Sequence, residues 1–222
     1  MDQPKAFVLV VGIDYSELSA HALERALELG KRIPRTELHV VHVARAIGPM
    51  LQVEALDEVL TLSTEQASDY LLKYVERKVE SCRQAHPNAA LPTRIVTHLR
   101  MDEPAESIAQ LASDVEADLV VVGTHGRRGL RRLLVGSVAE AVVRLAPCAV
   151  LVERPRDQAT QARVPNIEPP CPRCIETRKA TGGEQLWCEQ HRERHGRPHT
   201  YHYLDRNVEA GENLPMTTPL RR

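Results

Sequence analysis

Cys171, Cys174, Cys188 and His191 stand in the order C-x2-C-x13-C-x2-H near the end of the chain. Two ligands separated by two residues on a tight turn can face one cation, and two such turns complete a tetrahedral set of thiolate and imidazole donors. Zinc suits that set best, and with all four positions filled by protein the site would be structural rather than catalytic. His195 also follows at finger-like spacing, so it stands as the alternative to His191. The competing use of the cysteines is a redox pair or free thiols.

A second constellation lies earlier, in Gly123-Thr-His-Gly126-Arg-Arg-Gly129-Leu-Arg-Arg-Leu-Leu-Val-Gly136-Ser137. Glycines let backbone N–H groups approach phosphate oxygens with no Cβ in the way, and a helix opening at Ser137 adds partial positive charge. The lysine-bearing P-loop pattern is absent, as is G-x-G-x-x-G after the first strand. Two alternatives stay open: the glycines only shape a long connection, and Ser137 with Glu140 forms an S-x-x-E capping box. His125, Arg127, Arg128, Arg131 and Arg132 make the loop locally basic. Asp14, at the end of the first apolar run, can accept a hydrogen bond from an exocyclic amine or close an Asx-turn into the following helix. No carboxylate is evidently placed to orient water against a phosphate, so binding is expected rather than efficient catalysis.

The elements that must position these residues are legible as apolar runs: Phe7 to Ile13, Leu38 to Val43, Arg94 to Leu99, Leu119 to Val122 and Ala149 to Val152. Between them run helix-period segments. The first carries Leu18, Ala22, Leu23, Ala26, Leu27 and Ile33, with Ser16 as N-cap. A long second carries Leu56, Val59, Leu60, Ala67, Tyr70, Leu71, Tyr74, Val75 and Val79, with a break near Ser63. Pro104 fits the first turn of a third, and Ser137 to Leu145 forms a fourth that Pro147 stops. Alternation of strand and helix predicts an α/β fold: a five-stranded parallel sheet, helices on both faces, plus a small Cys/His-rich tail. Ligands of such sheets bind beyond the carboxyl ends of the strands, where strand order reverses.

The spacing G-x2-G-x9-G-S of Gly123, Gly126, Gly136 and Ser137, together with Leu9-Val10-Val11-Gly12-Ile13-Asp14 and Ala149-Val150-Leu151-Val152, resembles the universal stress protein family over roughly Ala6 to Glu153. The resemblance implies a Rossmann-like fold of the adenine nucleotide alpha hydrolase type, and the subgroup with this spacing binds ATP. It also implies roles for particular residues. Gly123, Gly126, Gly136, Ser137 and Val138 would meet ribose and phosphates, Asp14 with Val43 would hold the adenine, and Gly12 and Ile13 would line the pocket. Many members carry Pro and Thr before the aspartate, where this protein has Gly12 and Ile13. Weak ATP hydrolysis or autophosphorylation is the most activity the resemblance implies, and a homodimer through the last strand is its expected assembly.

The chain has 222 residues, 27% charged and 42% hydrophobic, with a formal net charge of -1. These values exclude collagen-like, coiled-coil and wholly disordered classes and supply no general attraction to nucleic acid or acidic lipid. No apolar run reaches the roughly 20 residues of a membrane helix, and the start lacks a signal peptide's cleavage region, so a cytoplasmic location and no membrane partner are expected. The expected organisation is a nucleotide-binding domain over 1–153, a linker over 154–170 with four prolines, a zinc-binding segment over 171–203 and a flexible tail over 204–222. The zinc-binding segment has too little apolar surface to fold without metal. Its arginines are interrupted by Glu189 and Glu193, so nucleic acid is a weak expectation and an unknown protein partner through the tail the stronger one. Two rivals to an ATP-binding stress-response regulator follow: a dimerising scaffold whose zinc tail recognises a protein or nucleic acid, and a slow ATPase or thiol oxidoreductase.

Overall fold

A computed structural model of the protein describes residues 5–55, 58–87, 90–124, 136–154 and 171–193. The chain divides into two units, Met1–Gln158 and Ala159–Arg222. In the first, β1 (Phe7–Ile13), β2 (Thr36–Ile47), β5 (Arg94–Met101), β6 (Leu119–Gly123) and β7 (Ala149–Glu153) form the expected parallel sheet. The parallel order is β5-β2-β1-β6-β7. Two further strands, β3 (Met50–Ala55) and β4 (Glu58–Leu62), pair antiparallel, with β3 joined to the far end of β2 through Arg45, Ala46 and Ile47.

That hairpin corrects the expected start of the second helix. Val59 and Leu60 lie in β4, and α2 runs from Thr64 to Ala85. Ser63 is its N-cap: the Ser63 hydroxyl accepts from the Gln66 N–H while the Gln66 side chain accepts from the Ser63 N–H. Satisfying two orphan donors at once makes this a strong place to start a helix. Leu56 and Asp57 lie outside the described residues.

The apolar residues of β1 alternate between two cores. Leu9, Val11 and Ile13 pack beneath α1 (Glu17–Arg32) and α2, with Leu23, Leu27 and Leu71 fully or almost fully buried there. Val8 and Val10 pack beneath α3 (Pro104–Asp114) and α4 (Ser137–Leu145), against Ile108, Leu111 and Val142. The nearly continuous apolar β1 and β6 are thus strands covered on both faces. Ser16 caps α1, its hydroxyl accepting from the Ser19 N–H, and Pro104 opens α3, as the sequence predicts. Among the described residues, no helix is long and apolar enough to cross a membrane.

In the second unit α5 (Pro172–Ala180) and the short α6 (Glu189–Glu193) flank a turn in which Gly182 and Gly183 take positive φ, 60° and 98°. These are left-handed conformations that glycine adopts without a Cβ penalty.

Candidate functional site

From β1 the fold proceeds outward to β2 and β5 on one side, and β6 and β7 follow on the other. Strand order therefore reverses between β1 and β6, opening a crevice at their carboxyl ends. Val11 pairs with Val121, and continuing that register sets Ile13 level with Gly123. On the other side Ile13 pairs with His42, which brings Val43 beside the exit of β1. Gly12, Ile13, Asp14, Val43 and Gly123 thus share one edge of the sheet.

The start of α4 joins them. The Gly136 N–H donates to the Thr124 carbonyl, and the Thr124 N–H donates to the Glu153 carbonyl at 3.1 Å. Gly136 therefore lies beside Thr124, setting Gly136, Ser137 and Val138 next to Gly123. Gly126, and with it His125, Arg127, Arg128, Arg131 and Arg132, lies outside the described residues.

Two of the local alternatives are resolved. Gly136, not Ser137, is the N-cap of α4, and its carbonyl accepts from the Glu140 N–H at 2.9 Å. No side group caps this helix, so the S-x-x-E box is not made, and Ser137 occupies the exposed first turn. Asp14 does close an Asx-turn, its Oδ1 accepting from the Ser16 N–H at 3.1 Å and from the Ser16 hydroxyl. The Asp14 N–H donates to Ser19 Oγ at 3.2 Å. A carboxylate offers about four acceptor positions, so this local bonding leaves the group able to accept from a ligand as well.

Gly123 has a packing reason beyond any ligand. A Cβ there would stand 3.0 Å from the backbone carbonyl carbon and oxygen of Leu18 and 3.3 Å from the backbone nitrogen of Ser19. The first turn of α1 therefore lies directly on the end of β6, and the amino-terminal turns of α1 and α4 converge on the same edge. Arg25 of α1 secures it, donating through Nε and Nη2 to the two Glu153 oxygens at 3.0 and 3.2 Å.

Sequence reasoning missed His42, Tyr15 and Thr124. His42 is 4% exposed and Tyr15 1% exposed, and their ring centroids are 4.5 Å apart. Burial lowers the His42 pKa from its ordinary value, against the opposing pull of the Ile13 carbonyl, Asp14 and Glu54. An imidazole set between Val41 and Val43 in a strand-like run was the signal available.

In the second unit the ligand atoms of Cys171, Cys174, Cys188 and His191 all lie within 4.8 Å of one another. Cys174 Sγ is 3.6 Å from Cys188 Sγ, and His191 Nδ1 is 3.4 and 3.6 Å from those two sulfurs. A tetrahedral zinc with ordinary bond lengths requires edges of about 3.8 Å between sulfurs and about 3.6 Å between sulfur and nitrogen. The donor set fits zinc. Backbone N–H groups of Cys174 and Arg173 contribute to bringing the Cys171 thiol down to about 7, which favours the thiolate form that a metal binds. His195 lies outside the described residues.

The model of the universal stress protein family matches residues 8–154, and the protein belongs to that family. Universal stress protein MJ0531 of Methanocaldococcus jannaschii is 32% identical over 146 residues, 65% of this chain and 79% of that protein. Universal stress protein YxiE of Bacillus subtilis is 29% identical over 147 residues, 66% of this chain and 97% of that protein. Among solved structures, a universal stress protein in complex with cAMP is 22% identical, the match spanning 67% of this protein and 97% of that one at a TM-score of 0.48.

Proposed function

We propose that this protein is an ATP-binding stress-response regulator whose second unit holds a structural zinc ion. The observation that carries the nucleotide reading is the convergence at the strand-order reversal. The Asp14 turn, Val43, Gly123 and the first turn of α4 lie on one sheet edge, with Gly136 bonded back to Thr124. In this reading Asp14 and Val43 hold the adenine, and Gly12 and Ile13 line the pocket. Gly123, Gly126, Gly136, Ser137 and Val138 meet ribose and phosphates, with the α4 amino terminus favouring their charge. Turnover is at most weak hydrolysis or autophosphorylation. ATP then acts by shifting a conformational equilibrium, and only as far as its affinity differs between the two states.

Zinc in the second unit would be held by Cys171, Cys174, Cys188 and His191 and would join two turns that share little core. A second copy of this protein is the proposed partner, through β7, which ends the sheet and leaves its outer edge unpaired among the described strands. The proposed location is the cytoplasm, whose reducing poise keeps such thiols available to metal.

Thermal unfolding with ATP tests the nucleotide reading. At a hundredfold excess over its dissociation constant ATP adds about 2.7 kcal/mol of stability. The shift is expected in the wild type and reduced in Asp14→Ala and Ser137→Ala. A wild-type melting curve unmoved by millimolar ATP overturns the reading.

A further inference from the structure

We propose that His42 is a positioning residue for base recognition: by donating from Nδ1 to the Ile13 carbonyl, it fixes the direction in which β1 releases Asp14 toward the Val43 backbone. The inference rests on the nucleotide reading above and adds to it a residue that touches no ligand.

Pairing of Ile13 with His42 joins the two strands that carry the adenine contacts, one residue before each contact. Side chains alternate along a strand, so His42 lies on the α1/α2 face with Tyr15 and Ile13, while Val43 packs on the α3/α4 face. Its action must therefore pass through the backbone. Nδ1 is 3.0 Å from the Ile13 oxygen, and a carbonyl only accepts, so Nδ1 carries the proton. Nε2 is then a lone-pair acceptor, buried with no hydrogen-bond partner among the described residues, and the Tyr15 hydroxyl is likewise buried without one.

Orphaned polar atoms cost stability, and a third cost lies beside them. Tyr15 has φ of 61°, the left-handed region, which a bulky residue adopts only under constraint. The constraint is its ring, held 4.5 Å from His42 and in edge contacts with Tyr70 at 5.2 Å and Tyr74 at 5.0 Å. Two orphaned atoms and one strained residue thus concentrate on the turn that presents Asp14. On its other side that turn is tied to α1 by Ser16 and Ser19. Strain of this kind persists where surrounding structure over-determines it, and it gathers at functional sites. Asp14 is therefore clamped between α1 and the His42 ring, at a fixed position relative to Val43.

The test uses the full-length protein with His42→Asn, His42→Gln and His42→Leu, titrated calorimetrically with ATP, adenosine and inorganic tripolyphosphate, with melting temperatures recorded alongside. Asparagine can place an amide N–H near the Nδ1 position, whereas glutamine reaches toward Nε2 and leucine donates nothing. Adenosine and ATP affinity should stay within about threefold of wild type in His42→Asn and fall by about tenfold or more in the other two, the size of one lost orienting hydrogen bond. Tripolyphosphate affinity should not change in any variant. Equal losses in all three variants that follow their melting temperatures would make His42 merely structural and overturn the proposal, as would wild-type affinity in His42→Leu. A wild-type protein that binds neither adenosine nor ATP overturns the nucleotide reading itself, and the His42 proposal with it.

Discussion

Gly123→Ala should destabilise the protein more than Gly12→Ala, although the added methyl makes the closer contact at position 12. At Gly12 a Cβ would meet Ile108 Cδ1 at 2.7 Å, the far end of a side group that can rotate away. Moving Ile108 off its rotamer costs about 0.5–1.5 kcal/mol, and replacing a strand glycine returns about 0.5–1 kcal/mol of backbone entropy. Gly12→Ala is therefore expected within about 1 kcal/mol of wild type. At Gly123 the contacts are the Leu18 carbonyl carbon and oxygen at 3.0 Å and Ser19 N at 3.3 Å, all backbone atoms in the first turn of α1. They retreat only if the helix moves, and overpacking of that kind costs about 1–3 kcal/mol. After the same entropic return, a net loss of up to roughly 2.5 kcal/mol remains, centred a little above about 1 kcal/mol. Urea denaturation followed by circular dichroism measures both variants against wild type. Equal stability of Gly123→Ala and wild type, or a larger loss in Gly12→Ala, would refute the argument that backbone contact governs this edge of the sheet.

Two further outcomes follow from the geometry. Burial lowers the pKa of His39, His42 and His98 in the folded protein from 6.5, so below that pH the unfolded state binds more protons than the native one. Stability should be independent of these groups well above pH 6.5 and fall as pH drops through it. Replacing His39 and His98, whose Nδ1 and Nε2 lie 2.8 Å apart, by glutamine should flatten that decline, as read from denaturation midpoints between pH 7 and pH 5. In the second unit, purified protein should carry one equivalent of zinc by elemental analysis, and a strong chelator should remove the α5 and α6 helical signal while leaving the first unit's unfolding transition in place. Retention of that helical signal in Cys174→Ser without metal would contradict a structural zinc.

The five parallel strands were legible because each is a compact apolar run bounded by helix signals, and Ser16 and Pro104 mark helix starts by chemistry that needs no tertiary context. The β3–β4 hairpin was not. Leu56, Val59 and Leu60 recur at spacings of three and one, which matches a helix face, so they read as the start of the helix that carries Ala67 and Leu71, with only a break near Ser63. The structure instead leaves Val59 58% exposed in a strand. Better signals were Gly48-Pro49, a turn in which Gly48 takes φ of 58°, and the Ser63–Gln66 capping box. Strand and helix boundaries read from the sequence were enough to put Gly12, Asp14, Gly123, Gly136 and Ser137 at one edge of the sheet, which is where the structure has them. They could not reveal that Gly123 also admits the backbone of α1, because that depends on how closely a helix and a strand approach in space. His42 escaped notice for a related reason: a histidine in a strand gains its meaning only from the carbonyl opposite it.

The most direct test is an amide NMR titration of the labelled protein with ATP. Saturable shifts are predicted at Gly12, Ile13, Asp14, Val43, Gly123, Gly136, Ser137 and Val138. Resonances at this edge that stay fixed at millimolar ATP, or shifts confined to other surfaces, would contradict a nucleotide held by exposed backbone amides at the carboxyl ends of these strands.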